Sequence, residues 1–216
     1  VALAILVPRT TPPPPPAPTP SVAAPSVAAL PGGLRPIIDE GETDPNVGAD
    51  DINVLVLGAG QMGAAVATRL AAQGYRVSSW RARDAAPLAA ALANAEIVIN
   101  LLPLTPFTRG LLDARLLAAL PRGASVVNLA RGAHVVDADL LAALDSGHLH
   151  RAVLDVFHGE PLPAEHAFWR HPQVTVLPHV AALTDERSAA AVVAANLHAL
   201  ACGAPLAHLV DRVRGY

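Results

Sequence analysis

The chain has 216 residues, 52% of them hydrophobic and 15% charged, with a formal net charge of −3. That balance offers no basic field for nucleic acid, and 3% aromatic residues supply no base-stacking surface. The single cysteine, Cys202, excludes an internal disulfide framework and a multi-cysteine metal site. A reducing compartment, the cytoplasm, is the default expectation. Apolar runs fall short of the ~20 residues of a spanning helix, so no membrane partner is expected.

Residues 1–50 read as a Pro/Ala-rich disordered tail or linker. Pro12–Pro16 is an unbroken proline run, which lacks backbone donors and favours extended polyproline II. Ser21–Pro36 continues in Pro, Ala and Gly, and Ile37–Asp51 is acidic and turn-rich. A proline-rich docking ligand is the alternative, but the flanking basic residues of such ligands are few.

From Ile52 the pattern alternates between strands and helices. Ile52–Leu57 is an apolar strand that runs into Gly58. Gln61–Gln73 is Ala-rich and helical, and Tyr75–Trp80 is a second strand. Asp84 can cap a helix reaching about Asn94. Glu96–Leu101 is a third strand, and Thr108–Leu120 a helix stopped by Pro121. Ala124–Leu129 is a fourth strand. Asp137–Ser146 is a helix capped by its aspartate and ended by Gly147. Ala152–Val156 and Val174–Leu177 complete the strands, and Thr184–Cys202 is a final helix. This order predicts an α/β fold, a Rossmann-type doubly wound parallel sheet with helices on both faces. Residues 51–183 form the expected dinucleotide-binding domain, and 184–216 a C-terminal helix and tail.

Gly58-Ala-Gly60-Gln61-Met62-Gly63 follows a predicted strand and opens a predicted helix, the context a dinucleotide fingerprint needs. Gly58 allows the tight turn, Gly60 a close approach of backbone to pyrophosphate, and Gly63 close helix–strand contact. The helix N-terminus supplies donors to the phosphates. About 20 residues beyond the fingerprint an acid would select NAD by accepting from the ribose 2′-OH. Arg81 stands there instead, with Arg83 two residues on. Both can pair with a 2′-phosphate, so NADPH is the preferred cofactor and NADH the second choice.

Three segments in the second half narrow the chemistry further: Asn128–Gly132 (NLARG), Leu154–Leu162 (LDVFHGEPL) and Leu177–Val180 (LPHV). They bring one Arg, one Glu and one His into order behind the fingerprint. Arg131 can grip a carboxylate and polarise a keto oxygen. His179 can protonate that oxygen as charge develops, and Glu160 can hold His179 protonated and aimed. The other eight histidines read as ordinary residues of turns and helix surfaces.

Together with Leu57–Gly63 and Asn100–Thr108 (NLLPLTPFT), these segments resemble the D-isomer-specific 2-hydroxyacid dehydrogenases over about Asp51–Tyr216. The closing VDRVRGY and the Trp80-Arg81 pair are most similar to the glyoxylate/hydroxypyruvate reductase A branch. The resemblance implies Arg131, Glu160 and His179 as the catalytic set. It places Gln61 and Met62 against the pyrophosphate, and Leu102, Pro103 and Thr108 along the cofactor. It passes Leu129, Ala130 and Arg131 beneath the nicotinamide, and has Asp155 accept from its carboxamide.

The resemblance also implies a first domain, built from the N-terminal stretch and the C-terminal helix, that forms the other wall of the substrate cleft. Fifty proline-rich residues cannot supply that domain, so the chain reads as a truncated product or family remnant. The face of the last helix formed by Ala189, Val192, Val193, Asn196, Leu197 and Leu200, apolar but for Asn196, is then exposed or folded back, and exposure would favour self-association into a homodimer. The expected function is NADPH-dependent reduction of a small 2-keto acid to the D-2-hydroxy acid. The alternatives are a non-catalytic NADP-binding module and an imine or β-hydroxyacid reductase, the last disfavoured by the Glu160 and His179 segments.

Overall fold

The computed structural model describes residues 48–81, 87–182 and 184–212. The proline-rich stretch as far as residue 47, Arg83 and Asp84, and the last four residues lie outside them. The described residues form a six-stranded parallel sheet in the order β2-β1-β3-β4-β5-β6, flanked by helices. Its strands are β1 (Asn53–Leu57), β2 (Arg76–Trp80), β3 (Ile97–Asn100), β4 (Ala124–Asn128), β5 (Leu149–Leu154) and β6 (Val174–Val176). The expected fold class is what the structure shows.

Position in the sheet explains the composition of each strand. The inner strands β1, β3, β4 and β5 are buried on both faces, as Val- and Leu-rich runs must be in a parallel sheet. The edge strand β2 carries Ser78 and Ser79, and β6 is only half-buried. Successive residues point to opposite faces. Leu55, Leu57, Val98, Val126, Ala152 and Leu154 share a core with α2 (Leu88–Leu92), α3 (Ala114–Leu117) and α4 (Asp137–Asp145). Val54, Ile99, Val127 and Val153 face Val66 and Leu70 of α1 (Gln61–Ala72).

Three helices differ from their sequence-based expectation. The helix expected over Thr108–Leu120 shrinks to α3, because the chain before it is taken up by long-range pairing. The Gly110 amide donates to Ala133 O at 2.8 Å, Leu112 N to His134 O at 2.9 Å, and Val136 N to Leu112 O at 3.1 Å. Asp113 then caps α3 by accepting from Leu116 N at 2.9 Å. The helix expected from Asp84 is described only from Leu88, behind Pro87, whose fixed φ suits a helix start. In α4 the cap is Val136, and Asp137 is the first helical residue. The Asp137 carboxylate instead lies 3.6 Å from both His158 Nε2 and His166 Nε2. Burial raises its pKa above the ordinary 3.8 against the lowering pull of both imidazoles.

The final helix α5 (Glu186–Ala201) begins where Asp185 accepts from Arg187 N at 3.2 Å, within the range expected for it. It buries none of its residues. Val193, Leu197 and Leu200 are 57%, 62% and 60% exposed, so the apolar face is exposed rather than folded back. No helix among the described residues is long and apolar enough to cross a membrane.

Candidate active site

The strand order reverses around β1, which lies between β2 and β3. In open α/β sheets ligands bind at the carboxyl ends of the strands beside such a reversal. The carboxyl edge here carries, side by side, the loops after β1, β3, β4, β5 and β6. Every candidate residue with a described position lies on one of those loops, on the first turn of α1, or just past β2.

The fingerprint is built as the glycines require. Gly58 sits at φ +98°, and a Cβ there would stand 2.7 Å from Leu101 O, so this position brings the turn after β1 against the end of β3. A Cβ on Gly63 would collide with Gly58 O, which lets α1 start directly behind the turn. Beside Gly60 the space is open, and α1 begins at Gly60 with no side-chain cap. An uncapped helix N-terminus with free space before it fits a pyrophosphate, whose charge suits the exposed amides and the helix dipole. Gln61 and Met62 are exposed on this turn and Gly63 is buried. Gly58 N donates to Trp80 O at 2.9 Å, so the end of β2 adjoins the turn, and Arg81 follows it, exposed. Arg83, its expected partner, lies outside the described residues.

The His179–Glu160 pair is assembled from two loops. His179 Nδ1 lies 2.6 Å from Glu160 Oε2. Glu160 Oε1 accepts from Phe157 N at 2.9 Å, which fixes the carboxylate within its own loop. Burial pushes the Glu160 carboxyl up, but the Phe157 amide, the His179 imidazole and the Arg131 charge outweigh it and hold it below the ordinary 4.5. With Nδ1 engaged, Nε2 is the His179 nitrogen that can face a reacting oxygen. Arg131 follows β4 through Leu129 and Ala130. Its side chain is exposed and its Nη1 donates to Ala130 O at 2.6 Å.

His179 stands at φ +56°, a left-handed conformation that costs a non-glycine residue about 1–2 kcal/mol. Asp155 holds it there. Its Oδ1 accepts from Val180 N at 2.8 Å and its Oδ2 from Ala181 N at 3.0 Å. Asp155 is 1% exposed, so the carboxylate expected to face a carboxamide is committed chiefly to the loop carrying His179. Thr108 is likewise buried. It receives Thr105 N at 2.8 Å and donates to Pro103 O at 2.8 Å, shaping the loop after β3 from beneath. Leu102 packs its side chain into the core, while Pro103 is half-buried at the loop surface.

Sequence reasoning missed the framework beneath these groups. Asn100 and Asn128 end β3 and β4 in matching register, both fully buried. Asn100 Nδ2 donates to Asn128 Oδ1 at 3.0 Å, Leu102 N to Asn100 Oδ1 at 3.2 Å, and Asn128 Nδ2 to Arg131 O at 3.1 Å. His134, expected among the surface and turn histidines, occupies a turn but is fully buried, with its ring between Arg131 O and Pro103 O. These bonds close a ring that joins the loop after β3 to the loop after β4. Gly132 performs a second joining, because a Cβ there would collide with Phe157 backbone, so the Arg131 and Glu160 loops touch directly. The sequence did carry one signal for the framework: an Asn at the end of two adjacent apolar strands is a polar residue where burial is expected.

Fold and edge together define a dinucleotide-binding α/β protein with Arg131, Glu160 and His179 on the same carboxyl edge of the sheet as the fingerprint turn. Comparison with known proteins gives the family. Residues 41–181 match the NAD binding domain of the D-isomer specific 2-hydroxyacid dehydrogenases. The chain is 46% identical over 178 residues to glyoxylate/hydroxypyruvate reductase A of Serratia proteamaculans, covering 77% of this chain and 57% of that protein. It is 45% identical over 183 residues to the protein of the same name from Salmonella heidelberg, covering 80% and 59%. Among solved structures, a D-isomer specific 2-hydroxyacid dehydrogenase from Xanthobacter autotrophicus in complex with NADPH and MES is 40% identical. Its TM-score is 0.74, over 86% of this chain and 78% of that one. An NADPH-dependent glyoxylate/hydroxypyruvate reductase from Sinorhizobium meliloti, with NADP and sulfate, is 38% identical with a TM-score of 0.75, over 85% and 61%. The chain belongs to the D-isomer specific 2-hydroxyacid dehydrogenase family. It spans less than three fifths of the length of the curated relatives named here.

Proposed function

We propose that residues 51–183 form the dinucleotide-binding and proton-donating part of an NADPH-dependent reductase of small 2-keto acids, glyoxylate or hydroxypyruvate, with 184–216 as an appended helix and tail. The observation that carries this reading is the 2.6 Å contact of His179 Nδ1 with Glu160 Oε2 on a loop clamped by Asp155. The relatives named as reductases of these acids, and the related structures holding NADPH or NADP, support the substrate and cofactor choice.

When bound, the reduced nicotinamide supplies a hydride to the carbonyl carbon. Arg131 takes the substrate carboxylate in its planar fork and draws electron density toward the keto oxygen. His179 delivers the proton from Nε2 to that oxygen as negative charge develops, yielding the 2-hydroxy acid, the D form where the product is chiral and the hydride arrives on the corresponding face. Glu160 keeps the imidazole oriented through Nδ1 and offsets its positive charge before transfer. Arg81, beside the fingerprint turn, favours the 2′-phosphate and thus NADPH over NADH.

The test is NADPH consumption by the full chain with glyoxylate. Turnover that disappears in His179→Ala supports the reductase. The rival reading is a dinucleotide-binding module without catalysis. NADPH binding with no turnover would establish that rival, and tighter binding of NADH than NADPH would overturn the role of Arg81.

A further inference from the structure

The ring beneath the site contains one titratable side chain that the proposed steps do not use. His134 alone among the nine histidines is fully enclosed. Its Nδ1 lies 3.0 Å from Arg131 O and its Nε2 3.3 Å from Pro103 O. Both neighbours are acceptors, whereas a neutral imidazole has one N–H. Burial holds this imidazole below its ordinary 6.5, against the raising effect of the two carbonyls, and the Arg131 and Arg109 guanidiniums add to the lowering. The neutral ring must therefore favour one acceptor. The shorter contact assigns the proton to Nδ1, donated to Arg131 O.

Pro103 O already receives the Thr108 hydroxyl at 2.8 Å. Arg131 O is where donors converge: His134 Nδ1, Asn128 Nδ2 at 3.1 Å, and the His134 backbone amide at 3.2 Å. The peptide plane after Arg131 is thereby held from the strand on one side and from the turn on the other. The Arg131 backbone is extended, so its side chain leaves this anchored plane toward the exposed edge.

We infer that His134 is a positioning residue: through Nδ1 it fixes the Arg131 main chain and so the arc its guanidinium sweeps when it takes a carboxylate. The inference rests on the reading of Arg131 as the carboxylate-binding group.

Three variants separate the donor from the volume. His134→Leu fills the space without a donor. His134→Asn returns an amide N–H near the place of Nδ1, and His134→Gln reaches toward that of Nε2. The NADPH-loaded full chain is titrated with oxalate by calorimetry, and nitrogen NMR reads the His134 tautomer and the Arg131 Nε–H resonance. The wild type is expected to show the Nδ1–H tautomer. His134→Leu and His134→Gln weaken oxalate binding about tenfold, as loss of one oriented charge-assisted bond would, and displace the Arg131 resonance. His134→Asn recovers most of both, and NADPH affinity moves less than about threefold in all three. An Nε2–H tautomer overturns the inference. So does wild-type oxalate affinity in the Leu or Gln variant, or an Asn variant no better than Gln at equal melting temperature. Arg131→Gln serves as the control. If it leaves oxalate binding unchanged, the carboxylate role of Arg131 falls, and the tautomer and the Arg131 resonance still decide the role of His134.

Discussion

The loops at the carboxyl ends of β4, β5 and β6 and the final helix α5 are held in opposite ways. The loops are irregular, yet each is tied by polar groups: the buried Asn128 and His134 under Arg131, the Phe157 amide beside Glu160, and the buried Asp155 under His179. Helix α5 is regular and rich in apolar side chains, yet it buries none of them and is started by the local Asp185 cap. Its side-chain tie to the chain near residue 207 is Asn196, which accepts from Ala207 N at 2.8 Å and donates to Ala207 O at 3.2 Å. Regularity and order of attachment are thus separate properties. A helix needs only its own backbone bonds, whereas a loop holding reactive groups in place needs partners from elsewhere in the chain.

The strongest break in this comparison is at the acid itself. His179→Ala is expected to lower the rate of glyoxylate-dependent NADPH oxidation by about 100-fold or more, the usual contribution of a positioned general acid. A second break lies at the joint between loops. Gly132→Ala places a methyl group on Phe157 backbone and is expected to cost about 1–3 kcal/mol, read from the urea midpoint at constant slope. Wild-type stability in that variant would show that the two loops are not in contact. Asp155→Asn is expected to cost about 1–3 kcal/mol by replacing a buried acceptor of two amides, Val180 N and Ala181 N, with one that can serve only one well. If its main effect were weaker NADPH binding at unchanged stability, Asp155 would be a cofactor contact rather than a clamp.

The contrast between core and α5 sharpens with a matched pair. Leu144→Ala in α4 removes a fully buried side chain and is expected to cost about 2–5 kcal/mol. Leu197→Ala in α5 should stay within about 0.5 kcal/mol, since that side chain is 62% exposed. A large loss at Leu197 would mean that α5 has a partner in solution, which a concentration-dependent melting temperature would reveal.

The smallest expected effect is in pH dependence. Glu160 has a folded pKa below its ordinary 4.5, so the folded state binds fewer protons than the unfolded chain in that range. Its contribution is complete above 4.5 and is lost as pH falls through the lower folded value. Glu160→Gln should flatten that part of the stability profile, and an unchanged slope would remove Glu160 from it. His134, also lowered, acts in the same sense at higher pH. Stability falls as pH drops below 6.5 toward its folded value, and His134→Asn should lose that component.

Much of the edge was legible because it is written locally. Gly58, Gly60 and Gly63 declare a turn and a helix start within six residues, and apolar runs of four to six residues declare buried strands. Thr108–Leu120 shows where local reading fails. Its residues favour a helix, but pairing of Leu112 with Val135 and the turn at Gly110 take the first half away. Asp155 shows the same limit at the site. A strand-ending acid advertises a charge, but nothing nearby in sequence says that its partners are the amides of Val180 and Ala181, some 25 residues on.

By itself the sequence determined the α/β class and the fingerprint and put forward Arg131, Glu160 and His179 as candidates, because periodicity and side-chain chemistry are properties of neighbouring residues. Tertiary structure alone decided that Glu160 meets His179, that Asp155 clamps the His179 loop, that Gly132 seats the Arg131 loop beside Phe157, and that His134 lies buried under Arg131. Those are contacts between adjacent strand ends, created only when the parallel sheet brings distant segments to one edge.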